Sequence, residues 1–397
     1  MKLLFTKVLR TAKHLQWAVA MATVCLLTPA SCIKDEALNK ECDITSAWVE
    51  GEQYAGNFYQ EKQMRMENIS SSEKEVVFTV RSLISLPKQL PVCFTLTPGA
   101  TISPASGSMQ DFTAGSVTYT VTSEDGAWKR EYRVVFKEAS LPSYKFSFEN
   151  VDTEENSSRK YHVFYETEAS DNKNYIWASG NPGFALTARS KAEPEEFPTY
   201  SSNQGYVGKC VCLQTLYAGD LGKLFNKPIA AGNLYWGKFF TEKVLLEPLK
   251  ATEFGIIVDR EPIRVTGYYK YQPGKEFTNM KMEVDPNRTD EASIYAVFYR
   301  NTDEAGNQVK LYGDDVLTSP YIVSKAEVAS LPPTDEWTRF EMFFEGAEAD
   351  PEVLAQQGYN MTLVFSSSKE GASFEGAIGS VLYVDEVEVS FEKEGNE

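Results

Sequence analysis

Ile263-Arg264-Val265-Thr266-Gly267-Tyr268-Tyr269-Lys270-Tyr271 alternates along its length. In an extended chain Ile263, Val265, Tyr269 and Tyr271 share one face, and Arg264, Thr266, Tyr268 and Lys270 share the other. One face is apolar and the other mixed, which predicts a strand with one side in a core. The same grammar runs outward in both directions. Tyr144–Phe148, Tyr161–Glu166, Tyr206–Leu216, Asn233–Thr241, Ala292–Arg300, Thr338–Phe344, Met361–Ser366 and Val381–Phe391 read as further strands, with Gly, Pro and Asn between them. Helical periodicity is confined to a turn or two around Pro351–Gln357. No blade-length repeat appears, so a jelly-roll sandwich is expected rather than a propeller.

A break falls at Ser140-Leu141-Pro142-Ser143. Before it, Glu75–Val80, Val92–Leu96, Ser116–Val121 and Tyr132–Phe136 are short β runs separated by turn clusters such as Thr97-Pro98-Gly99-Ala100. That spacing predicts a small β-sandwich over 43–140, ahead of the larger one over 141–397. The chain is expected to be all-β.

The N-terminus has a secretory layout. Lys2, Lys7, Arg10 and Lys13 precede an apolar stretch, Trp17–Leu27, and then Thr28-Pro29-Ala30-Ser31-Cys32. The apolar stretch is too short to span a bilayer and is followed by small residues, as in a cleaved signal over residues 1–31. Cys32 sits where a lipobox cysteine takes diacylglycerol, with 32–42 as the tether. The alternative is a plain signal peptide cut elsewhere. Ile33-Lys34-Asp35-Glu36 resembles the tract that routes lipoproteins to the cell surface in gut-type Gram-negative bacteria. The expected location is the outer membrane, facing outward, held by lipid alone.

Cleavage at that point removes four of the 39 basic residues and none of the 56 acidic ones, leaving 35 against 56, a net charge of −21. Such a surface repels nucleic acid and anionic lipid and favours neutral partners or cations. The processed chain holds one histidine, His162, in the strand-like Tyr161-His162-Val163-Phe164-Tyr165. Histidine-pair zinc motifs are thereby excluded, and any catalysis is expected to rest on carboxylates. Cys210 and Cys212 share a strand face and read as buried thiols, while a Cys42–Cys93 bridge is open.

Two groups of residues are candidates for function. Sugars stack C–H faces on aromatic rings while Asn, Gln, Asp or Arg take their hydroxyls. Trp177 with Asn181, Trp236 with Asn233, and Tyr268 with Arg264 combine such residues beside glycines. Each is weighed against simple core packing. The second group is Glu149, in Phe146-Ser147-Phe148-Glu149-Asn150, and Asp385, in Tyr383-Val384-Asp385-Glu386. First and last strands of a jelly roll often lie side by side, which would bring these carboxylates together. The layout resembles jelly-roll carbohydrate-binding modules in which a structural calcium bridges those strands. That resemblance implies calcium on Glu149 and Asp385; the alternative is that Asp385 simply faces solvent on an edge strand.

Several stretches then occur in a telling order: Trp177–Gly183, Ala231–Lys238, Val265–Gly274, Ser293–Tyr299 and Ser366–Ser380. Together they resemble the putative carbohydrate metabolism domain family of gut-bacterial lipoproteins. The front half, through Pro98–Gly107 and Tyr119–Gly126, resembles the immunoglobulin-like modules of bacterial surface lipoproteins. The resemblance implies an immunoglobulin-like sandwich followed by a jelly roll, with a role in glycan use and no reaction to carry across. A glycan-binding lipoprotein working with other components of a polysaccharide-utilisation system is the favoured expectation. A glycoside hydrolase with paired Asp/Glu carboxylates is one alternative, and a scaffold or adhesion subunit without sugar affinity is another.

Overall fold

The computed structural model describes residues 37–392 apart from 59, 60, 81, 85, 139–142, 157, 158, 168–171, 189 and 190. Cys32, the expected lipidation site, and the expected signal over residues 1–31 lie outside the described residues. The chain is all-β and divides into two compact units, up to residue 140 and from residue 141.

In the first unit two four-stranded sheets enclose one core. One sheet runs Arg65–Glu67, Ile44–Val49, Gln89–Leu96, Met109–Asp111. The other runs Glu75–Val80, Lys129–Glu138, Ser116–Thr122, Thr101–Ser103, with its first pair parallel. Inward positions such as Ile44, Phe78, Val92, Tyr119 and Val134 are fully buried. Burial of that apolar surface is what holds so small a sandwich together. Cys42 and Cys93 are free thiols, so no bridge staples it.

The second unit is a larger sandwich. Its six-stranded sheet runs Thr199–Ser202, Cys210–Gln214, Val381–Phe391, Pro262–Gln272, Thr334–Phe343. The sixth strand, Ser143–Phe146, pairs with the far half of Val381–Phe391, placing the opening and closing strands side by side. The facing nine-stranded sheet has Asn233–Phe239, Tyr359–Ser366, Ser293–Arg300 and Ile322–Glu327 at its centre. Between the sheets lie Val265, Tyr269 and Tyr271 from one side and Trp236, Phe298 and Phe365 from the other. Alternation along Pro262–Gln272 thus turns its odd-numbered residues inward, as the sequence pattern predicts.

Tyr206–Leu216 is not one strand. Residues 205–209 form a loop, and pairing begins only at Cys210. Gly208, with φ +62°, makes that loop possible; a Cβ there would meet the Glu149 carboxylate at 2.0 Å. Two short helices, Asn181–Phe184 and Gly219–Leu224, interrupt a chain that reads as strands and turns.

Candidate functional site

The outer face of the six-stranded sheet carries the site. Even-numbered residues of Pro262–Gln272 point there, and register places their neighbours. Tyr268 lies opposite Arg339 on one side and Asp385 on the other, and Lys270 lies opposite Tyr383. Cys212 is opposite both Tyr200 and Tyr383. The result is a field of aromatic rings with charged residues between them.

Tyr206, from the 205–209 loop, lies flat on Tyr268, with centroids 3.8 Å apart and planes 10° apart. Trp337 stands edge-on to Tyr206 at 6.3 Å. Lys270 places its ammonium 4.8 Å from the Trp337 ring centre and 5.2 Å from that of Tyr383. An ammonium over a ring face is held by the ring quadrupole, which fixes Lys270 and Trp337 together. Tyr206 remains 47% exposed. Contact with the Tyr206 hydroxyl, then partial burial, raises the Tyr268 phenol above its usual range. Beneath the rings, burial pushes the Cys210 thiol up to about 12 and that of Cys212 to about 11. These thiols are inert packing, since the thiolate is the reactive form.

The loop that carries Tyr206 is tied down by two carboxylates. Val207 N–H donates to Asp385 Oδ2 at 3.0 Å, and Lys209 N–H donates to Glu149 Oε1 at 2.7 Å. Asp385 also accepts from Glu386 N–H at 2.8 Å. Asp385 is fully buried, and desolvation raises its pKa to about 6 against the pull of these amides. Glu149, just after the opening strand, and Asp385, in the closing strand, therefore serve one loop. A hard cation takes six to eight oxygen ligands, and amide N–H groups already take one direction on three of the four oxygens of this pair. Among the described residues no three acidic, His or Cys side chains gather as a metal cluster. Calcium on this pair would have to draw most of its oxygen ligands from other groups.

The structure corrects most of the sugar-binding residues expected from sequence. Trp177 and Trp236 are 3% and 1% exposed and belong to the main core, packed edge-to-face on Phe146. Trp177 Nε1 donates to Glu166 at 2.7 Å, and burial raises the Glu166 pKa. Asn181 is fully buried and exchanges hydrogen bonds with the Thr199 backbone. Asn233 Oδ1 accepts from Gly180 N–H at 2.8 Å, so it too is spent on the chain's own turn. Arg264 is buried beside Glu341 at 3.5 Å. Its charge is satisfied within the sheet. Of the three expected aromatics only Tyr268 lies on the outer face and is not buried.

His162 Nδ1 accepts from Ser201 N–H at 3.0 Å, and burial lowers its pKa, so it is a neutral strand residue. Tyr206, Trp337 and Tyr383 were not among the expected site residues. Their signal is faint in sequence. Tyr383 alternates with apolar Leu382 and Val384, which fixes its face, but Tyr206 joins Tyr268 only through a loop distant in sequence.

Comparison with known proteins agrees with this architecture. Residues 147–390 match the profile of the putative carbohydrate metabolism domain, and residues 58–135 match that of the SGBP N-terminal family. No protein of curated function matches the chain. The crystal structure of a putative glycoside hydrolase from Bacteroides thetaiotaomicron is 36% identical, covering 91% of this chain and 100% of its own, with a TM-score of 0.58. A putative glycoside hydrolase from Bacteroides vulgatus is 40% identical over 64% of this chain and 99% of its own, also with a TM-score of 0.58. Both the domain match and the first of these relatives span most of the chain, and the protein belongs to the putative carbohydrate metabolism domain family.

Proposed function

We propose that the protein is a cell-surface lipoprotein that binds glycan on the outer face of its six-stranded sheet. One observation carries this reading. Tyr206, stacked on Tyr268 beside Trp337, offers a half-exposed ring, with Lys270 on Trp337 and with Arg339 and Glu386 close to Tyr268. A sugar needs that combination, a flat apolar ring for its C–H face and polar groups for its hydroxyls. Membership in a carbohydrate-metabolism family supports glycan as the partner class. The SGBP-like first unit is consistent with work alongside other components of a polysaccharide-utilisation system.

Binding is favoured over hydrolysis by the state of Asp385. Glycoside hydrolysis takes two carboxyl groups that reach the scissile bond, one of them with a raised pKa. Asp385 has the raised pKa but no exposed surface, and its oxygens face amide N–H groups. It cannot hand a proton to a glycosidic oxygen from there.

A glycan array probed with the mature chain, followed by calorimetry on each hit, tests the reading. Tyr268→Ala is expected to weaken a hit by roughly 1–3 kcal/mol, the usual loss at an interface hot spot. Reducing sugar released from a hit would make the protein a hydrolase, and unchanged affinity in the variant would move the site elsewhere. Anchoring is tested by Cys32→Ser, which is expected to abolish fatty-acid labelling and release the protein from membranes. A variant that still labels would overturn the anchor.

A further inference from the structure

The nine-stranded sheet has an outer face of the opposite character. Tyr235, Phe254, Tyr295 and Val364 project from it and form the floor of a recess of about 270 Å³. Three segments roof it: the helix Gly219–Leu224 with Phe225, the stretch 241–250, and the turn 371–374. Lys227 braces the roof by donating to Val244 O at 2.8 Å and Leu245 O at 2.9 Å. Phe374 forms part of the wall with φ +58°, a conformation bulky residues avoid. Such strain persists where the surroundings impose it, and it is common around bound ligands.

The mouth is apolar too. Leu221, Phe225 and Leu245 line the recess and remain exposed, and beside them Leu224 and Leu246 are 76% and 88% exposed. Exposed apolar groups gathered at one opening mark a binding surface. Among the described residues no carboxylate lines the recess, although the chain carries 56 acidic residues. Its two lining ammonium groups are engaged, Lys227 with the carbonyls above and Lys369 with Glu327 at 3.5 Å. The Tyr235 hydroxyl donates to Lys238 O and that of Ser366 to Ser368 O. Thr252, Ser293 and Tyr295 add three hydroxyls to the lining, and with the other polar groups committed most hydroxyls of a bare sugar would still be buried without partners, at a cost of about 1–3 kcal/mol each. Charged ligands fare worse for the same reason.

We propose that this recess is a second binding site, distinct from the glycan face, for the apolar portion of an uncharged amphiphile. The seven aromatic residues of its lining suit an aryl group or a medium-length alkyl chain. Benzene occupies an apolar cavity of about 150 Å³, so this volume suits a body of roughly ten carbons. An alkyl or aryl substituent carried on a sugar has that chemistry.

The test is a fluorescence titration of the mature protein with N-phenyl-1-naphthylamine, a neutral probe that brightens in apolar surroundings. One saturable site is expected. Ala372→Trp, which fills the recess from an exposed rim position, and Ala230→Leu, which fills it from the wall, should each weaken binding by about tenfold or more. Melting curves check that both variants fold. Octyl glucoside below its micelle threshold should displace the probe, and glucose should not. Tyr206→Ala should leave probe binding intact, so failure of the glycan reading and failure of this one remain separate. Absence of saturation, survival of binding in both filled variants, or binding that tracks only self-association or added lipid vesicles would each overturn the proposal.

Discussion

Two aromatic clusters in the second unit are built from similar residues and do opposite things. Phe146, Phe148, Trp177, Trp236 and Phe365 interlock between the sheets, ring on ring, each buried. Tyr200, Tyr206, Tyr268, Trp337 and Tyr383 lie on the outer face, interleaved with charged groups. Aromatic density alone therefore does not mark a binding surface. What separates the clusters is the parity of each residue along its strand and the nature of its cross-strand neighbours. Leu234 and Trp236 turn inward together, whereas Tyr268 sits between Arg339 and Asp385.

The largest effect that would break this contrast is expected at the core. Trp236→Ala should lower stability by about 3–5 kcal/mol, the range for truncating a buried aromatic. For a unit of this size that is a fall in melting temperature of roughly 6–20 °C. Trp236 Nε1 is itself buried without a hydrogen-bond partner, so the loss arises from packing alone. Protein that remains folded should keep full glycan affinity. A variant that melts normally and loses glycan would return Trp236 to the binding site.

The outer cluster should respond the other way. Tyr206→Ala and Trp337→Ala are expected to change stability by less than about 1 kcal/mol, as for other partly exposed positions. Their effect should appear in calorimetry as a loss of about 1–3 kcal/mol of glycan affinity. Early melting in either variant would mean that the stacked rings are a surface extension of the core.

This division was only half legible in the sequence. Period-two alternation across Ile263–Tyr271 assigns Tyr268 to the outer face and Tyr269 and Tyr271 to the core, because a pleated strand has no other option. The first and last strands, and the break before the second unit, follow from similarly local patterns. Trp177 and Trp236 mislead because Gly and Asn around them look like a ligand site. In the fold those residues serve the backbone: Asn181 satisfies Thr199, Asn233 satisfies Gly180, and Gly237, at φ +152°, lets Asn233–Phe239 pass close to Glu253. Tyr206 was hidden for a different reason. Its position depends on Glu149 and Asp385 each holding an amide of one loop, a contact among three distant segments that no local pattern encodes.

The smallest expected effect concerns that loop and separates two roles for its carboxylates. Asp385 has a native pKa near 6, above the ordinary 3.8, with burial as the main cause. Below pH 4 it is protonated in both folded and unfolded chains and costs nothing. Between pH 4 and 6 the native state holds the proton more tightly, so stability falls as pH rises through that window and stays lower above it. Discounted for screening by nearby solvent, the change is about 1–2 kcal/mol. Asp385→Asn mimics the protonated form, so the difference in melting temperature between variant and wild type should be largest at pH 7 and shrink towards pH 4. A calcium ion on Glu149 and Asp385 would reverse this behaviour, because a cation stabilises the ionised carboxyl. Stability would then fall on acidification, EDTA would lower the melting temperature at pH 7, and Asp385→Asn would remove that sensitivity. Hydrogen bonding of both carboxylates to the 206–209 loop instead leads us to expect a melting curve that EDTA does not move.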